Sequence, residues 1–459
     1  MKRKAFYLLV VLLTLAGFLP GGLASSSLPS ALAAGAPPEV QWQKTFGGTG
    51  GDYGYSVQPT TDGGYIITGG TESFGAGNGD VYLVKTDASG NNTWSKTFGG
   101  GSHDESYSVQ QTADGGFIIG GTTGSFGAGN EDVYLIKTDA SGNMTWSKTF
   151  GGTSYDYGRS VQQIADGGYI IAGYTESFAG NTDVYLIRTD ASGNMTWQKT
   201  FGGTNSDYGF SVQPTADGGY IIAGYTGSFG SGGPDVYLIK TDDSGNMTWQ
   251  KTFGGAYYDF GFSVQPTADG GYIIAGYTES FGAGNTDVYL IKTDASGNMN
   301  WQKTFGGTGN DDGNSVQPTA DGGYIIAGHT VSFGGNTDVY LIRTDASGNM
   351  TWQKTFGGAN TDYGYSVQPT ADGGCIVAGT TDSFGAGQND VYLIKLGPDT
   401  VPLPGDANGD GVVNALDITK IERIIVGLAA PTPGADTNQD SRVNSLDITK
   451  VERLIAGLG

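Results

Sequence analysis

An all-β, seven-bladed propeller closed by its own N-terminal strand is the fold this sequence predicts, on three observations. Seven tryptophans, Trp42, Trp94, Trp146, Trp197, Trp249, Trp301 and Trp352, recur every 51 or 52 residues, a period that marks a propeller or solenoid. Each unit carries four short runs rich in Val, Ile, Tyr, Thr and Trp, side chains that suit a pleated, half-buried surface, and four short strands make one blade. The runs also begin and end out of step. The first unit opens with a lone Trp strand, Val40 to Phe46, and the last stops at Val391-Tyr392-Leu393-Ile394-Lys395 with no Trp strand after it.

In chain order, the first element is a leader, residues 1–33. Lys2, Arg3 and Lys4 precede an apolar run from Ala5 to Leu19 and two small-residue exits, Gly22-Leu23-Ala24 and Ala31-Leu32-Ala33, which together read as a cleaved export signal. The run is shorter than the roughly 20 residues of a membrane-spanning helix, so no membrane span is expected after cleavage; an uncleaved leader that anchors the chain is the alternative. The single cysteine, Cys375, excludes an internal disulfide, and an exported product must be held together by chain closure and bound cations instead. The formal charge is -22, and loss of the three leader cations takes it to -25, which excludes a nucleic-acid partner because nothing could neutralise phosphates.

Residues 34–396 form the propeller. In the fifth unit the expected strands are Phe262 to Thr267, Gly271 to Thr278, Asp287 to Thr293 and Met299 to Phe305. Ala268-Asp269-Gly270-Gly271 joins the first pair and Asp294-Ala295-Ser296-Gly297-Asn298 the second, both suited to tight hairpins with φ > 0. A right-handed β-solenoid would use shorter coils and lack two tight hairpins per repeat. Seven complete blades result only if Val40 to Phe46 pairs with the last three runs, which removes an aggregation-prone sheet edge. The near-continuous apolar runs Tyr-Ile-Ile-Ala and Val-Tyr-Leu-Ile fit sheets covered on both faces by neighbouring blades.

The turn Asp294-Ala295-Ser296-Gly297 followed by Trp301 resembles quinoprotein-type propeller repeats, in which such a Trp docks onto the next blade. The set from Trp-Gln-Lys-Thr-Phe-Gly-Gly to Asp-Gly-Gly-Tyr-Ile-Ile-Ala-Gly also looks like repeats of prokaryotic secreted and surface proteins. The resemblance implies a fold, not an activity.

No catalytic residue is expected in the propeller. The recurring acids Asp269, Asp287 and Asp294 have counterparts in other blades and read as turn and N–H-accepting residues. The two histidines, His103 and His329, fall in different blades with no nucleophile pattern beside them and read as surface groups. The loops after Phe-Gly-Gly vary most and open on the same face as the Ser-Phe-Gly loops, so a ligand is sought there, at His103, Tyr155, Tyr257 and Tyr258. On the opposite face, Asn91, Asn143, Asn194, Asn246 and Asn349 head Asn-x-Thr triplets, glycan acceptors in a chain exported through a glycosylating pathway; Asn298 lacks the Thr.

The proline-spaced segment 397–404 reads as a linker. After it come two loops 30 residues apart. Asp406, Asn408, Asp410, Asn414 and Asp417 occupy loop positions 1, 3, 5, 9 and 12 of the first, and Asp436, Asn438, Asp440, Asn444 and Asp447 those of the second. This is the oxygen spacing a hard cation such as Ca2+ requires, with a backbone carbonyl from position 7, Val412 or Arg442, so two Ca2+ sites are expected. Each loop runs into one helix, Ala415 to Val426 and Ser445 to Ala456, without an entering helix, and position 12 is Asp.

Both features make residues 405–459 resemble a dockerin, a small all-α calcium-dependent module that binds a cohesin domain. The resemblance implies cohesin contacts at Ala415, Leu416, Glu422 and Arg423 and at Ser445, Leu446, Glu452 and Arg453. Ala415-Leu416 departs from the Ser-Thr pair common in cellulosomal dockerins, and Ser441 replaces the loop glycine. A calcium-stabilised terminal cap is the plainer reading of the same module. The expected function is a secreted or cell-surface, non-enzymatic interaction protein attached to a cohesin-bearing partner. The alternatives are a carbohydrate-active enzyme or a glycan-binding lectin using the variable face; paired carboxylates in one axial pocket would mark the first and aromatic platforms between blades the second.

Overall fold

A computed structural model of the chain describes residues 37–178, 180–399, 407, 413–429, 432, 435–437 and 442–456. The leader lies outside the described residues. The chain divides after Val401 into two compact units.

The first unit is a ring of seven four-stranded antiparallel sheets. The N-terminal strand is β1 (Val40–Phe46). Blade 1 is β2 (Asp52–Pro59), β3 (Tyr65–Thr71), β4 (Asp80–Thr86) and β5 (Asn92–Phe98); blade 2 is β6 (Asp104–Gln111), β7 (Phe117–Thr123), β8 (Asp132–Thr138) and β9 (Met144–Phe150). Blade 3 is β10 (Asp156–Gln163), β11 (Tyr169–Thr175), β12 (Asp183–Thr189) and β13 (Met195–Phe201); blade 4 is β14 (Asp207–Pro214), β15 (Tyr220–Thr226), β16 (Asp235–Thr241) and β17 (Met247–Phe253). Blade 5 is β18 (Asp259–Pro266), β19 (Tyr272–Thr278), β20 (Asp287–Thr293) and β21 (Met299–Phe305); blade 6 is β22 (Asp311–Pro318), β23 (Tyr324–Thr330), β24 (Asp338–Thr344) and β25 (Met350–Phe356). Blade 7 is β26 (Asp362–Pro369), β27 (Cys375–Thr381) and β28 (Asp390–Leu396), completed by β1.

Closure follows the sequence reading. β1 pairs antiparallel with β28, setting Gln43 opposite Ile394 and Phe46 opposite Val391. Trp42 on β1 then does for blade 1 what Trp94, Trp146, Trp197, Trp249 and Trp301 do for the blades after them. Its ring meets Tyr65 edge-on at 5.8 Å and lies beneath Gly90, where a Cβ would fall 2.7 Å from the indole. Gly297, at φ 75°, shows why the turn requires glycine: besides the left-handed backbone, a Cβ there would strike Trp249 at 2.7 Å.

A second closure runs inside the ring. The serine at the middle of each innermost strand accepts from a valine N–H of the neighbouring blade: Ser160 from Val212, Ser211 from Val264, Ser263 from Val316 and Ser315 from Val367, each at 3.2 Å. Ser366 accepts from Val57 at 3.2 Å and joins the last blade to the first.

The innermost strands begin earlier than the sequence reading places them: in blade 5, at Asp259 rather than Phe262. The reason is a bulge between Gly261 and Ser263, across which Gly276 approaches so closely that a Cβ on it would lie 1.7 Å from the Phe260 carbonyl. The bulge hides the strand's period of two.

In the second unit, helices α1 (Ala415–Ile425) and α2 (Ser445–Ile455) replace the expected Ala415 to Val426 and Ser445 to Ala456, with Val426 and Ala456 as C-caps. Asn414 and Asp417 form a reciprocal capping box on α1, and Asn444 and Asp447 repeat it on α2. The core is small: Ala407, Ile421, Ile424, Ala435 and Val451 are buried, with Val413, Ile418, Ala429, Val443 and Ile448 packed around them.

Deleting residues 34–47 removes both the outer strand of blade 7 and the Trp42 contact to blade 1. We expect the propeller's thermal midpoint to fall by about 10 °C or more, or the truncated chain to oligomerise. Calorimetry with sedimentation checks this, and a monomer with an unchanged midpoint would contradict the closure.

Candidate functional site

The propeller repeats itself so closely that its departures from symmetry stand out, and one set of them gathers at one mouth of the central channel. The innermost strands start on the face that carries the Phe-Gly-Gly and Ser-Phe-Gly loops. The second residue of each innermost strand pairs across the sheet with the sixth residue of the next strand. Blade by blade, these pairs are Tyr53 with Gly70, Glu105 with Thr122, Tyr157 with Tyr174, Tyr208 with Tyr225, Phe260 with Tyr277, Asp312 with His329 and Tyr363 with Thr380.

Blades 3 to 5 thereby build one continuous aromatic arc. Ring centroids follow at 4.7 Å from Tyr157 to Tyr174, 4.8 Å to Tyr208, 4.6 Å to Tyr225, 3.8 Å to Phe260 and 4.8 Å to Tyr277. The Tyr174–Tyr208 and Tyr225–Phe260 contacts each cross from one blade to the next. Of the residues singled out from sequence, Tyr155 stacks on Tyr157 at 6.3 Å and Tyr258 on Phe260 at 6.2 Å, so both extend the arc outward. Tyr257 is 64% exposed beside Tyr258. His103, in blade 2, is exposed and pairs as an isolated bridge with Gly79, away from the arc.

His329 is not a surface group, contrary to the sequence reading. Its position on β23 turns it toward the mouth, where Nε2 faces Asp312 Oδ2 at 3.5 Å. Burial lowers the imidazole's pKa and raises the carboxyl's, so both shifts favour an uncharged pair. Thr286 donates to the carboxyl at 3.1 Å.

One layer deeper a ring of Tyr55, Tyr107, Arg159, Phe210, Phe262, Asn314 and Tyr365 narrows the channel. The Arg159 guanidinium lies 4.0 Å from the Tyr107 ring centroid and donates to the Tyr174 hydroxyl at 2.9 Å. The Tyr107 hydroxyl in turn donates to Glu105 at 2.5 Å. This ring, together with seven serines and seven glutamines, lines a cavity of about 260 Å³. Sequence reasoning missed the arc and Arg159 because they sit inside strands. Their signal was legible as variation between blades at positions where the surrounding strand residues barely change.

Buried aspartates position the loops above the mouth. Asp259 is fully buried and accepts from Ser280 Oγ at 2.6 Å, from the Gly255 N–H at 2.8 Å, and from Thr278. Asp235 of the preceding blade accepts from the Ser231 N–H at 2.7 Å. Both carboxylates crowd Gly254, where a Cβ would fall 1.9 Å from one and 2.6 Å from the other. Burial, and then the charge of the neighbouring Asp259, raise Asp235; burial raises Asp80, Asp338 and Asp390 likewise, helped by the charges of Asp104, Asp362 and Asp52 in turn. Burial and Asp207 push Asp183 up to about 6.

On the opposite face, Asn91, Asn143, Asn194, Asn246 and Asn349 are exposed in the third-to-fourth strand turns. Each side chain donates to the turn's own Asp at 3.0 Å and accepts from a Lys of the preceding blade, Lys44 for Asn91 and Lys199 for Asn246. Asn298, without the Thr, makes the same bonds, so the turn alone accounts for Asn at this place.

In the C-terminal unit, Asp406, Asn408, Asp410, Val412, Asn438 and Asp440 lie outside the described residues. Asn414, Asp417, Asp436, Arg442, Asn444 and Asp447 are described. Asp417 and Asp447 are fully buried at the first turns of α1 and α2, each accepting from the N-cap Asn N–H at 2.8 Å. Buried carboxylates held this way beside amide oxygens suit a hard cation. All eight residues assigned to the partner surface are exposed, with Leu416 at 63% and Leu446 at 60%.

Residues 404–456 match the dockerin type I domain, and residues 164–195 and 319–350 match a β-propeller domain of unknown function, DUF5122. The C-terminal module is thus a dockerin type I domain, a family that binds calcium and implies a cohesin partner. Over 202 residues the chain is 27% identical to the regulatory protein FlaEY of Caulobacter vibrioides, covering 38% of this chain and 21% of that one. The chain thus spans about a fifth of that relative's length. Among solved structures, Sqt1 from Chaetomium thermophilum aligns at 12% identity with a TM-score of 0.42, over 73% of this chain and 83% of that one. YCF48 bound to D1 peptide aligns at 10% identity and 0.42, over 79% and 100%. Among the described residues no helix is long and apolar enough to cross a membrane.

The aspartates set the acid response of the ring. Asp183 titrates near 6 when folded, above its unfolded value of 3.8, so its stabilisation is present at low pH and lost as pH rises through about 6. Asp62, Asp114, Asp217, Asp269 and Asp372 lie at about 2; partial burial opposes this, but hydrogen bonds from a Thr hydroxyl, a Lys ammonium and a Gly N–H outweigh it. Their stabilisation is present above 3.8 and lost as pH falls toward 2. Calorimetry is expected to show the propeller's midpoint rising as pH falls from about 6.5 to 4.5 and dropping again below about pH 3.5, with Asp183→Asn flattening the rise. A midpoint that drops steadily from pH 7.5 would contradict this.

Proposed function

We propose that this chain is a secreted or cell-surface, non-enzymatic interaction protein whose dockerin attaches the propeller to a cohesin-bearing partner in a calcium-dependent manner. The observation that carries the proposal is the duplicated exposed surface on α1 and α2: Ala415, Leu416, Glu422 and Arg423 on one helix and Ser445, Leu446, Glu452 and Arg453 on the other. Two calcium sites fit the two loops, with Asn414 and Asp417 in the first and Asp436, Arg442, Asn444 and Asp447 in the second among the described residues. A bound cation supplies charge neutralisation to each acidic loop. The chain's own part is to hold Asp417 and Asp447 buried at the helix starts, where the capping boxes fix them. With so small an apolar core, folding of the module is coupled to the cation.

Because the two helices present nearly the same groups, a cohesin can use either. Replacing Leu416, Glu422 and Arg423 by Ala is expected to leave most of the affinity, and replacing Leu446, Glu452 and Arg453 as well to lower it at least ~100-fold. Titration calorimetry against a cohesin from the same genome reads this. Binding that survives both changes, or survives a calcium chelator, would contradict the assignment.

A second reading is supported by the aromatic arc. Rings that cross between blades are platforms suited to the C–H faces of sugars, and they favour a glycan-binding face over the enzyme alternative. Tyr155, Tyr257 and Tyr258 would be its outer contacts and Tyr174 and Tyr225 its inner ones. Tyr174→Ala with Tyr225→Ala is expected to weaken binding to a glycan found by array screening about tenfold or more. Unchanged binding in the double variant would place the ligand elsewhere.

A further inference from the structure

Position 375 breaks the repeat inside the core. In the other six blades the residue opening the second strand is aromatic: Tyr65, Phe117, Tyr169, Tyr220, Tyr272 and Tyr324, each no more than 5% exposed. Every one of these rings sits at the junction with the preceding blade, its centroid 5.8 to 6.1 Å from that blade's Trp. In the five tyrosines the phenol end lies near an Asp of the preceding blade. The Tyr220 hydroxyl accepts from Arg188 Nε at 3.2 Å, with Asp166 of the same blade close enough to act on it.

In blade 7 the residue is Cys375. The turn that covers the Trp in the other six junctions is missing as well, because the chain leaves the blade at Leu396 instead of turning into a fourth strand. What remains is a cavity of about 300 Å³ between blades 6 and 7, walled by Trp352, Ile325, Cys375 and Pro398. An apolar cavity of about 150 Å³ already takes up benzene. At its polar end Arg343 donates to Asp321 at 2.6 Å and to Asp399 at 3.0 Å, and Trp352 Nε1 donates to Asp399 at 2.9 Å. Arg343 and Asp321 are the counterparts of the Arg188 and Asp166 that surround the Tyr220 hydroxyl.

We propose that this cavity is a binding socket for a single phenol ring, supplied from outside the chain where the other six junctions carry their own aromatic side chain. The ring enters between Trp352 and Cys375, and its hydroxyl meets the Arg343–Asp321 pair, which offers it a donor and an acceptor. Burial pushes the Cys375 thiol up to about 12, so no thiolate charge opposes an apolar guest.

The test is p-cresol binding to the full-length protein in calcium, followed by titration calorimetry and by the propeller's thermal midpoint. Saturable one-to-one binding that raises the midpoint is expected. Cys375→Tyr should weaken it at least about tenfold and raise the midpoint without ligand, because the new ring fills the socket. Cys375→Ala should keep the binding. An Overhauser contact between p-cresol and the Trp352 indole locates the ring in the unmutated chain, whatever the folding of the variants. Binding of N-acetyltyrosinamide as well as p-cresol would make the natural guest a tyrosine side chain of a partner, and p-cresol alone a free phenol. No saturable p-cresol binding, no contact to Trp352, or undiminished binding in a folded Cys375→Tyr variant would overturn the proposal.

Discussion

Pairing of β1 with β28 is the constraint on which the propeller depends. Each blade exposes two largely apolar faces, and the only covering available is the next blade, so a row of seven leaves two faces and two strand edges bare unless it closes. The N-terminal strand solves both problems at once. It completes the last sheet through Gln43, Lys44 and Thr45 opposite Ile394, Leu393 and Tyr392, and it carries Trp42 to the first blade. The inner circle of serine hydroxyls, ending with Ser366 and Val57, makes the same join around the channel. A chain with one cysteine thereby ties together ends more than 350 residues apart without a disulfide.

A ring built from near-identical units places every repeated group around a circle, so a unique site arises only where the repeat fails. It fails in three places of different physical kind. At the channel mouth, two positions per blade alternate among Tyr, Phe, Glu, Asp, His, Thr and Gly, and three adjacent blades contribute the aromatic arc. At the join of blades 6 and 7, an absent turn and an absent ring leave a socket. After Val401, the repeat gives way to a separate module whose two loop-helix units copy each other.

Much of this was legible in the sequence, and for identifiable reasons. Tryptophan spacing marked the blades because six of the seven indoles meet the next blade's turn glycine, so the spacing is a packing requirement. The missing last Trp strand gave the closure. The paired oxygen-rich loops, each followed by one helix without an entering helix and with Asp at position 12, marked the dockerin. The arc is not legible in the loops, where the sequence varies most. Tyr174, Tyr225 and Tyr277 lie within buried-looking runs such as Tyr-Ile-Ile-Ala-Gly-Tyr-Thr, and only the inward turn of that strand end brings them to the mouth. The bulge at Gly261 had the same effect, masking the alternation that would have marked Phe260 and Phe262 as channel-facing. His329 read as a surface residue because sequence does not show that Asp312 faces it.

The proposed function rests on the dockerin joining this propeller to a cohesin. The most direct measurement is recovery of the full-length protein from its native culture, with and without a calcium chelator, and identification of what comes with it by mass spectrometry. The account predicts a cohesin-domain protein, recovered in calcium and absent in chelator while the propeller itself stays folded. Recovery of the same partner in both conditions, or of partners with no cohesin domain, would contradict it.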